Sequence, residues 1–380
     1  MARLTKIIYC LLILFLGFQA QAKNPPPGIG TNIPANVLIM LDISGSMNIA
    51  MYSTQKTYYP IDTATDSSGN IYILGNYDRI TVLDSSGNHL RTFGGRGTSC
   101  NRWYDARQFA IYNDQIYVAD YYGHKIKVVD LYGNCKRSIS TLDGNMWRSN
   151  SNPYPSGIAV GNSYIYVSYW NNKGRITIHN TSNLSKVRTF TDTSRLYYNL
   201  NVNLNASGNA LLIASTNRWG GIPVAKYTVS GSTLTYSTGI GTHGYNYSNG
   251  YIYFPFGVDF DSNDNIYVDD HYLHRIQKFN SSGTYQAKTG SYSTSPFKYP
   301  RGIYIDSSDN IYVSDTHNHA TRKFDTSLTL QETIGAGGGT RLEVAKKVIK
   351  KIVSDSSLTS GANFGFMTWA NWAEMRVKVS

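Results

Sequence analysis

The sequence predicts a mainly β chain in which a six-bladed β-propeller is inserted into an incomplete α/β domain of Rossmann-like type. Three observations lead to this prediction: a short phrase that recurs six times, a buried-type strand ahead of the repeats, and a helix-and-strand pattern after them. Helix is expected to be scarce, because charged residues make up only 16% of the chain while tyrosine alone occurs 31 times.

The N-terminal segment has the pattern of a secretory signal peptide. Arg3 and Lys6 precede an apolar run over residues 7–18, and Ala20-Gln21-Ala22 supplies small residues for cleavage. We therefore predict that residues 1–22 are removed on export, and no later run predicts a transmembrane segment. The formal net charge of +11 suits acidic polymers, membranes or anionic glycans as partners, and it suits equally well a surface charge that only aids solubility.

The strand that follows the signal ends in a metal-ligand pattern. A continuous apolar run over residues 36–41 predicts a buried parallel strand, and it leads into Asp42-x-Ser44-x-Ser46. This pattern resembles the opening of a von Willebrand factor A domain, here residues 23–54. The resemblance implies that Ser44 and Ser46 bind a divalent cation, Mg²⁺ or Ca²⁺, directly, and that Asp42 does so mainly through water. The family also takes a Thr and an Asp from later loops, so the site is expected to be incomplete in a chain that stops at Ser380.

Six copies of a phrase of apolar, tyrosine and β-branched residues occupy residues 55–335. Their first apolar residues are Ile71, Ile116, Ile165, Leu211, Ile266 and Ile311, so the copies are 45, 49, 46, 55 and 45 residues apart. Each copy supplies four strands, a to d, which matches one propeller blade. Copies such as Tyr299-Pro300-Arg301-Gly302 with the strands after it resemble NHL repeats. The repeated Tyr, Asp and His positions are interpreted as structural, and packing rather than metal ligation is predicted for His124, His274 and His319.

The α/β pattern resumes after the last copy, over residues 336–380. Thr340 and Glu343 form a predicted capping box ahead of an amphipathic helix. Residues 363–368 then predict a core strand, and residues 375–379 an antiparallel edge strand. Residues 36–50 and 338–380 together resemble the A-type domain of PilY-type tip adhesins of type IV pili.

One propeller face is predicted to bind ligand, because the loops from strand b to c and from strand d to the next a are rich in aromatic residues and arginine. The candidates are Trp103, Tyr121, Trp147, Tyr169, Trp170, Arg218, Trp219 and Tyr272. Clusters of this type mark binding surfaces. The alternative is that the same residues contact the A-type domain, because the insertion junctions lie on this face.

Cys100 and Cys135 are the cysteines left after signal removal, and a pair in an exported chain suggests a disulfide. The blade register places them on opposite faces, which is too far for a bond, unless the long Cys100 loop lies along the side of the blade. Both possibilities stay open.

The sequence thus favours an exported surface adhesin or pilus-associated binding protein and not an enzyme. Its expected partners are a host or surface glycan or protein, with pilus subunits implied by the resemblance, and no nucleic acid is expected. Two alternatives remain, an extracellular propeller enzyme of lyase or hydrolase type and a passive structural scaffold. No nucleophile-base pair or phosphate-binding glycine loop supports the enzyme.

Overall fold

The computed structural model describes residues 36–42, 59–141, 154–171, 173–216, 221–291, 296–334, 363–369 and 376–379. The chain divides into two compact units, one formed by Met1–Asn48 with Val344–Ser380 and the other by Ile49–Glu343. The first strand of the former unit among the described residues is β1, Asn36–Asp42.

Within the described residues, the larger unit contains six four-stranded antiparallel sheets, each built from one continuous stretch of chain. Blade 1 consists of β2 Asp62–Thr65, β3 Ile71–Gly75, β4 Arg79–Leu83 and β5 His89–Gly94. Blade 2 consists of β6 Ala106–Tyr112, β7 Gln115–Asp120, β8 Lys125–Asp130 and β9 Cys135–Ser140. Blade 3 consists of β10 Pro155–Val160, β11 Tyr164–Tyr169, β12 Arg175–Asn180 and β13 Lys186–Thr191.

Blade 4 and the later strands follow the same order. Blade 4 consists of β14 Tyr198–Leu204, β15 Ala210–Thr216, β16 Val224–Ser230 and β17 Thr233–Ile240, and it is followed by the short pair β18 Thr242–His243 and β19 Tyr251–Ile252. Blade 5 consists of β20 Val258–Phe260, β21 Ile266–Asp270, β22 Arg275–Phe279 and β23 Tyr285–Thr289. Blade 6 consists of β24 Pro300–Ile305, β25 Ile311–Asp315, β26 Ala320–Phe324 and β27 Leu330–Ile334. Three-residue 3-10 turns occur at Asn76–Asp78, His271–Leu273 and Thr316–Asn318. The predicted six-bladed propeller is confirmed, including the degenerate fourth copy.

The apolar core of the propeller lies between neighbouring blades. Leu74 and Val82 of blade 1, for example, pack with Phe109 and Val118 of blade 2. The second strand of each blade is almost wholly buried, while outer strands such as β5 alternate between exposed and half-buried residues. Each blade is therefore stable only when its neighbours cover its two faces.

Side chains close the ring between blade 6 and blade 1. The Thr63 and Ser314 hydroxyls lie 3.1 Å apart, and Thr316 donates a hydrogen bond of 2.8 Å to the Pro60 carbonyl. No strand is exchanged between the two blades, since all four strands of each come from one segment. The closure is therefore a packed, hydrogen-bonded contact.

The repeated Asp and Tyr residues stabilise turns. The Asp66 carboxylate accepts hydrogen bonds from the backbone of Ser68 and Asn70 and from the Tyr72 hydroxyl. Equivalent networks surround Asp261 and Asp306. The structural interpretation of these positions is confirmed.

The repeated histidines join successive blades. His274 Nδ1 accepts the backbone N–H of Tyr299, 2.9 Å away, and His319 Nδ1 accepts that of Tyr59 at 3.2 Å. His124 packs on the Tyr154 ring in the corresponding place. The predicted packing role is confirmed, and it includes a hydrogen bond to the residue that leads into the next blade.

The long step of 55 residues between the fourth and fifth copies has a structural cause that the repeat pattern does not show. Strands β18 and β19 pair in parallel in the loop between blades 4 and 5. The loop they form exposes Tyr245 and Tyr247.

Cys100 and Cys135 form a disulfide, with their Cα atoms 5.5 Å apart. Of the two possibilities that the sequence left open, the structure contains the disulfide, formed as expected for a Cys100 loop that lies along the blade. The loop that contains Cys100 lies along the side of blade 2, where Lys127 donates hydrogen bonds to the carbonyls of Thr98 and Ser99. Cys135 opens the outer strand β9, so both cysteines meet at the blade's outer edge.

Strands β28, Asn363–Trp369, and β29, Arg376–Val379, complete a small sheet with β1. β1 pairs in parallel with β28, with Val37 opposite Phe364, and β29 is antiparallel to β28. The two predicted strands after the repeats are confirmed. The predicted helix between the propeller and β28 lies outside the described residues. No helix in the described part of the chain is long and apolar enough to span a membrane.

Candidate functional site

Six residues, one from each blade, meet at the mouth of the central channel on the face predicted to bind ligand. They occupy the same place in each copy, directly before or within the first strand, and they are Ile61, Arg107, Ser156, Leu200, Phe256 and Arg301. Trp170, which follows strand β11, also lines the depression. Its volume is about 320 Å³ including the solvent-filled mouth. We refer to it as the axial pocket.

A β-bulge places several of these side chains. The register between the first two strands of a blade shifts at Ala106/Gln108, Pro155/Gly157, Asn199/Asn201 and Pro300/Gly302, so the residue between the two named is the extra one. A bulge turns such a residue out of the strand's regular alternation. Arg107 and Arg301 therefore reach the axial pocket because of a local irregularity in β6 and β24.

Glycine after the bulge lets the inner strands approach each other. A Cβ atom at Gly302 would lie 2.5 Å from the Ile61 carbonyl oxygen, and one at Gly257 would lie 2.5 Å from the Ile303 nitrogen. In blades 1 and 2 the same position holds Asp62 and Gln108. Their side chains accept backbone N–H groups of the next blade, Phe109 and Ile158 respectively. The first strands of neighbouring blades are thus joined either by direct backbone contact at a glycine or by a hydrogen bond to the side chain of Asp62 or Gln108.

The two arginines of the axial pocket differ in their partners. Arg107 donates hydrogen bonds of 3.0 and 2.6 Å to Asp105 and lies over the Tyr121 ring. Arg301 lies over the Phe256 ring, 4.9 Å from its centre. Burial first and the charge of Arg107 second lower the pKa of Arg301. The pocket therefore has a positive potential that its protein groups only partly neutralise.

Exposed tyrosines surround the axial pocket. Among the described residues, seven tyrosines are more than a third exposed, and six of them lie in loops of this face: Tyr77, Tyr104, Tyr122, Tyr245, Tyr247 and Tyr272. The seventh, Tyr132, lies in a turn at the opposite end of blade 2. The asymmetry distinguishes this face from the rest of the propeller surface.

The tyrosines form local aromatic clusters in which ring pairs are either stacked or edge-on. Tyr122 contacts Tyr104 and Tyr154 edge-on, with ring centres 5.6 Å apart in both pairs. Trp170 stacks on Tyr198 at 5.0 Å. Such clusters give a binding surface rigid aromatic faces and phenolic hydroxyls at once.

Three of the predicted ligand residues are buried, and their assignment to the surface is corrected. Trp103 and Tyr169 are 0% exposed and Tyr121 is 6% exposed. Trp103 packs against Phe93 in the core between blades 1 and 2, and Tyr169 bonds to the Thr177 hydroxyl. They are located in the expected loops or strand ends, but their side chains point inward because the blade cores need large apolar groups there.

Trp170 and Tyr272 are the predicted ligand residues that reach the face, at the pocket wall and in an exposed loop respectively. Trp147, Arg218 and Trp219 lie outside the described residues. Sequence analysis missed Arg107, Phe256 and Arg301 as site residues. For Phe256 and Arg301 the available signal was the position between Pro and Gly in the repeated Pro-x-Gly phrase, whereas Arg107 lies in Ala106-Arg107-Gln108 and only its alignment with that phrase could have indicated it.

The candidate metal residues cannot be assembled into a site from the described chain. Asp42 is the last residue of β1, and Ser44 and Ser46 lie outside the described residues. Within the described residues, no group of three His, Cys, Asp or Glu side chains is arranged to hold a metal ion.

Two buried carboxyl groups, Asp62 and Asp259, lie on the inner strands of blades 1 and 5 and interact electrostatically. Asp62 is 4% exposed and Asp259 is 5% exposed. Burial raises the pKa of Asp62 to about 7, against hydrogen bonds from Phe109 and Thr63 that lower it. Burial, with a smaller contribution from Asp62, raises the pKa of Asp259 to about 8.

The buried carboxyl groups should make the propeller less stable as pH rises. An unfolded Asp259 ionises near its ordinary value of 3.8, whereas the folded one ionises near 8. The unfolded state therefore binds fewer protons between these values, and stability falls by up to about 1.4 kcal/mol per pH unit per group. Between pH 5 and 7.5, Asp259→Asn should flatten the fall in Tm measured by thermal unfolding.

The control for this experiment is Asp84→Asn, in an exposed turn. Hydrogen bonds from Asn88 lower the pKa of Asp84 from its ordinary value, so its loss should leave the slope between pH 5 and 7.5 unchanged. Equal slopes in wild type and Asp259→Asn would show that Asp259 is ionised in the folded protein across this range.

Comparison with known proteins agrees with this architecture. The NHL repeat family model matches residues 297–324, which span β24 to β26. No curated protein matches the sequence. Among solved structures, hydrazine synthase of Kuenenia stuttgartiensis superposes with a TM-score of 0.51 and 13% identity, over 73% of this chain and 99% of that one.

Two further structures are similar in fold. A streptogramin B lyase has a TM-score of 0.51 and 14% identity over 75% of this chain and 85% of its own. An inactive variant of virginiamycin B lyase from Staphylococcus aureus, solved with quinupristin, has a TM-score of 0.51 and 12% identity over 87% and 94%. At these identities the likeness concerns fold alone. The chain therefore contains a six-bladed β-propeller with an NHL repeat in its sixth blade.

Proposed function

We propose that this chain is an exported surface adhesin or pilus-associated binding protein whose propeller binds a surface glycan through the face around the axial pocket. The observation that supports this most directly is that six of the seven exposed tyrosines of the described residues lie on that one face. A tyrosine ring offers an apolar surface to the C–H groups of a sugar, and its hydroxyl donates and accepts hydrogen bonds. A rigid ring of blades holds these groups in fixed positions.

The test compares tyrosines on the two faces. In a glycan-binding assay with the full chain, the double variant Tyr122→Ser/Tyr272→Ser should bind about 30-fold more weakly than wild type, since each of the two rings contributes on the order of 1 kcal/mol. Tyr132→Ser is the matched control, because Tyr132 is 70% exposed on blade 2 but at its other end. It should bind like wild type. Equal loss in both variants, or no glycan binding by any of them, would contradict the proposal and leave the scaffold alternative.

A propeller enzyme of lyase or hydrolase type is the second candidate, favoured by a histidine beside the axial pocket. His271 is 7% exposed, contacts the Phe256 ring and hydrogen bonds through Nδ1 to the Pro300 carbonyl at 2.9 Å. Burial lowers its pKa to about 3, which makes it a weak base at neutral pH. The enzyme is therefore ranked below the adhesin. Cleavage of a bound glycan by wild type, abolished in His271→Ala, would reverse this order.

The A-type domain and its metal are part of the same proposal. The parallel pairing of β1 with β28 and the antiparallel edge strand β29 support an A-type sheet. Asp42 lies at the carboxyl end of a parallel strand, where ligand loops of such sheets are located, and this suits a role for Asp42, Ser44 and Ser46 in binding Mg²⁺ or Ca²⁺. Export through residues 1–22, and a protein or pilus-subunit partner for this unit, are proposed on the sequence pattern.

A further inference from the structure

The axial pocket contains an arginine whose charge has no protein partner. Within the described chain, the Arg301 guanidinium makes no hydrogen bond or ion pair, and its contact is with the Phe256 ring, 4.9 Å from the centre. A guanidinium group that lines a pocket is normally paired with a carboxylate or with a ligand. The unmatched charge therefore points to something that binds there.

A second arginine from another blade lies near enough to affect it. The charge of Arg107 lowers the pKa of Arg301, so the two cations repel each other. Arg107 is paired with Asp105 at 2.6 Å. Counting Arg107, Asp105 and Arg301 as +1, −1 and +1 leaves a formal charge of +1 at the pocket, which a single negative charge would balance.

The nearby buried carboxyl group does not balance this charge well. Asp269 is 0% exposed, and its Oδ1 accepts the Phe256 N–H at 2.7 Å, while its Oδ2 has no hydrogen-bond partner within the described residues. Burial raises the pKa of Asp269, which favours the neutral acid. Arg301 thus keeps most of its positive charge available.

The walls of the axial pocket define what can carry that negative charge. Phe256 and Trp170 supply aromatic surface on two sides, and the volume of about 320 Å³ includes the open mouth, so the closed part accepts one small group. Two guanidinium groups match the oxygens of a carboxylate or a sulfate ester. The exposed tyrosines outside the mouth are then placed to contact the rest of a longer ligand.

We infer that the axial pocket binds the acidic group of a singly charged sugar residue, a carboxylate or a sulfate ester, between Arg301 and Arg107. This inference rests on the proposed glycan-binding function and names the class of glycan. The neighbouring rings of Trp170 and Phe256 contact the sugar that carries the acid. The ligand is therefore an acidic glycan, held at one charged residue and along its length by tyrosines.

Calorimetric titration of the full chain tests this with three oligosaccharides of equal length, one neutral, one of uronic acids and one sulfated. At least one acidic oligosaccharide should bind about ten-fold or more tightly than the neutral one. Arg301→Gln should weaken binding of the acidic ligand about 10- to 100-fold, as expected for loss of a charged hydrogen bond, and should leave the neutral ligand unchanged. Arg301→Lys, which keeps the charge, should restore part of the difference.

The matched control is Arg96→Gln. Arg96 is exposed on the same face and lies over the Tyr104 ring at 4.3 Å, so it repeats the contact of Arg301 outside the pocket. It should change acidic-ligand affinity less than three-fold, about the effect of a single screened surface charge. A uronate preference over sulfate, or the reverse, identifies which acid the pocket takes.

The outcomes separate the two proposals. If neutral and acidic oligosaccharides bind equally, or if Arg96→Gln is as harmful as Arg301→Gln, the acidic pocket is wrong while glycan binding stands. If no oligosaccharide binds, glycan binding itself fails and the inference fails with it. An Arg301→Gln protein that unfolds is identified by its Tm, and the comparison of Arg301→Lys with wild type then decides, because that variant keeps charge and bulk.

Discussion

Replacement of Trp103 by alanine is expected to lower the free energy of unfolding by about 3–5 kcal/mol. The indole is fully buried between blades 1 and 2 and packs against Phe93, with ring centres 6.4 Å apart. It also covers Gly94, where a Cβ atom would lie 1.8 Å from the ring. Denaturant unfolding followed by circular dichroism measures the change.

The control is Tyr104→Ala, the next residue in the same loop. Tyr104 is 39% exposed, so its removal should change stability by less than about 1 kcal/mol and should instead weaken glycan binding. The reverse pattern, with Trp103→Ala stable but unable to bind, would return Trp103 to the ligand face where its loop position first suggested it.

The fold was predictable because its signals are local and repeated. The Asn310 backbone N–H and the Tyr312 hydroxyl both donate to the Asp306 carboxylate within seven residues, so the turn they form is visible in sequence wherever it recurs. The fourth copy lacks the tyrosine but keeps the spacing, which was enough to locate β15. The pair β18 and β19 was not predictable, since two-residue strands carry no periodic pattern.

The site was less predictable because sequence position gives a loop but not the direction of its side chains. Trp103 and Tyr104 are adjacent, yet a backbone bridge between Trp103 and Arg96 turns the indole inward while Tyr104 stays exposed. Arg107 and Arg301 were missed for a related reason. Each reaches the pocket through a bulge, and strict alternation along a strand does not anticipate one.

The disulfide illustrates the same limit. A register of strands and turns predicts the faces to which loop ends attach, so it left open whether the Cys100 loop reaches Cys135. The path of the loop depends on Lys127, a buried cation that binds the loop carbonyls of Thr98 and Ser99 and pairs with Asp120 at 2.8 Å. This interaction joins residues far apart in sequence, so periodicity cannot show it.

A second buried cation holds the loop that exposes Tyr245 and Tyr247. Arg275 is 2% exposed and donates hydrogen bonds to the carbonyls of Asn246, Tyr247, Ser248 and Tyr251, while its charge is paired with Asp270 at 3.5 Å. Gln277 and Lys288 each add one hydrogen bond, to the carbonyls of Tyr251 and Tyr247, so the guanidinium is the group that connects all four carbonyls of the loop. Arg275 thus positions part of the tyrosine face without contacting a ligand.

Arg275→Met should therefore have two measurable effects. It leaves the Asp270 carboxyl group buried without its partner, and breaking such a pair lowers the free energy of unfolding by about 3–5 kcal/mol. It also removes the guanidinium hydrogen bonds to the carbonyls of residues 246–251, so hydrogen exchange of amides in residues 242–252 should accelerate more than that of the blade strands. Glycan affinity should fall because the two tyrosines are less ordered.

Lys127→Met is the matched control, because it removes the equivalent cation from the other loop, next to Tyr104. In the Lys127→Met variant, amide hydrogen exchange should accelerate in residues 96–104 and remain unchanged in residues 242–252, so each variant reports on its own loop. Uniform acceleration across the propeller in both variants would mean that the cations stabilise the whole ring rather than individual loops. Retained glycan affinity in Arg275→Met, despite rapid exchange in its loop, would show that Tyr245 and Tyr247 do not belong to the binding face.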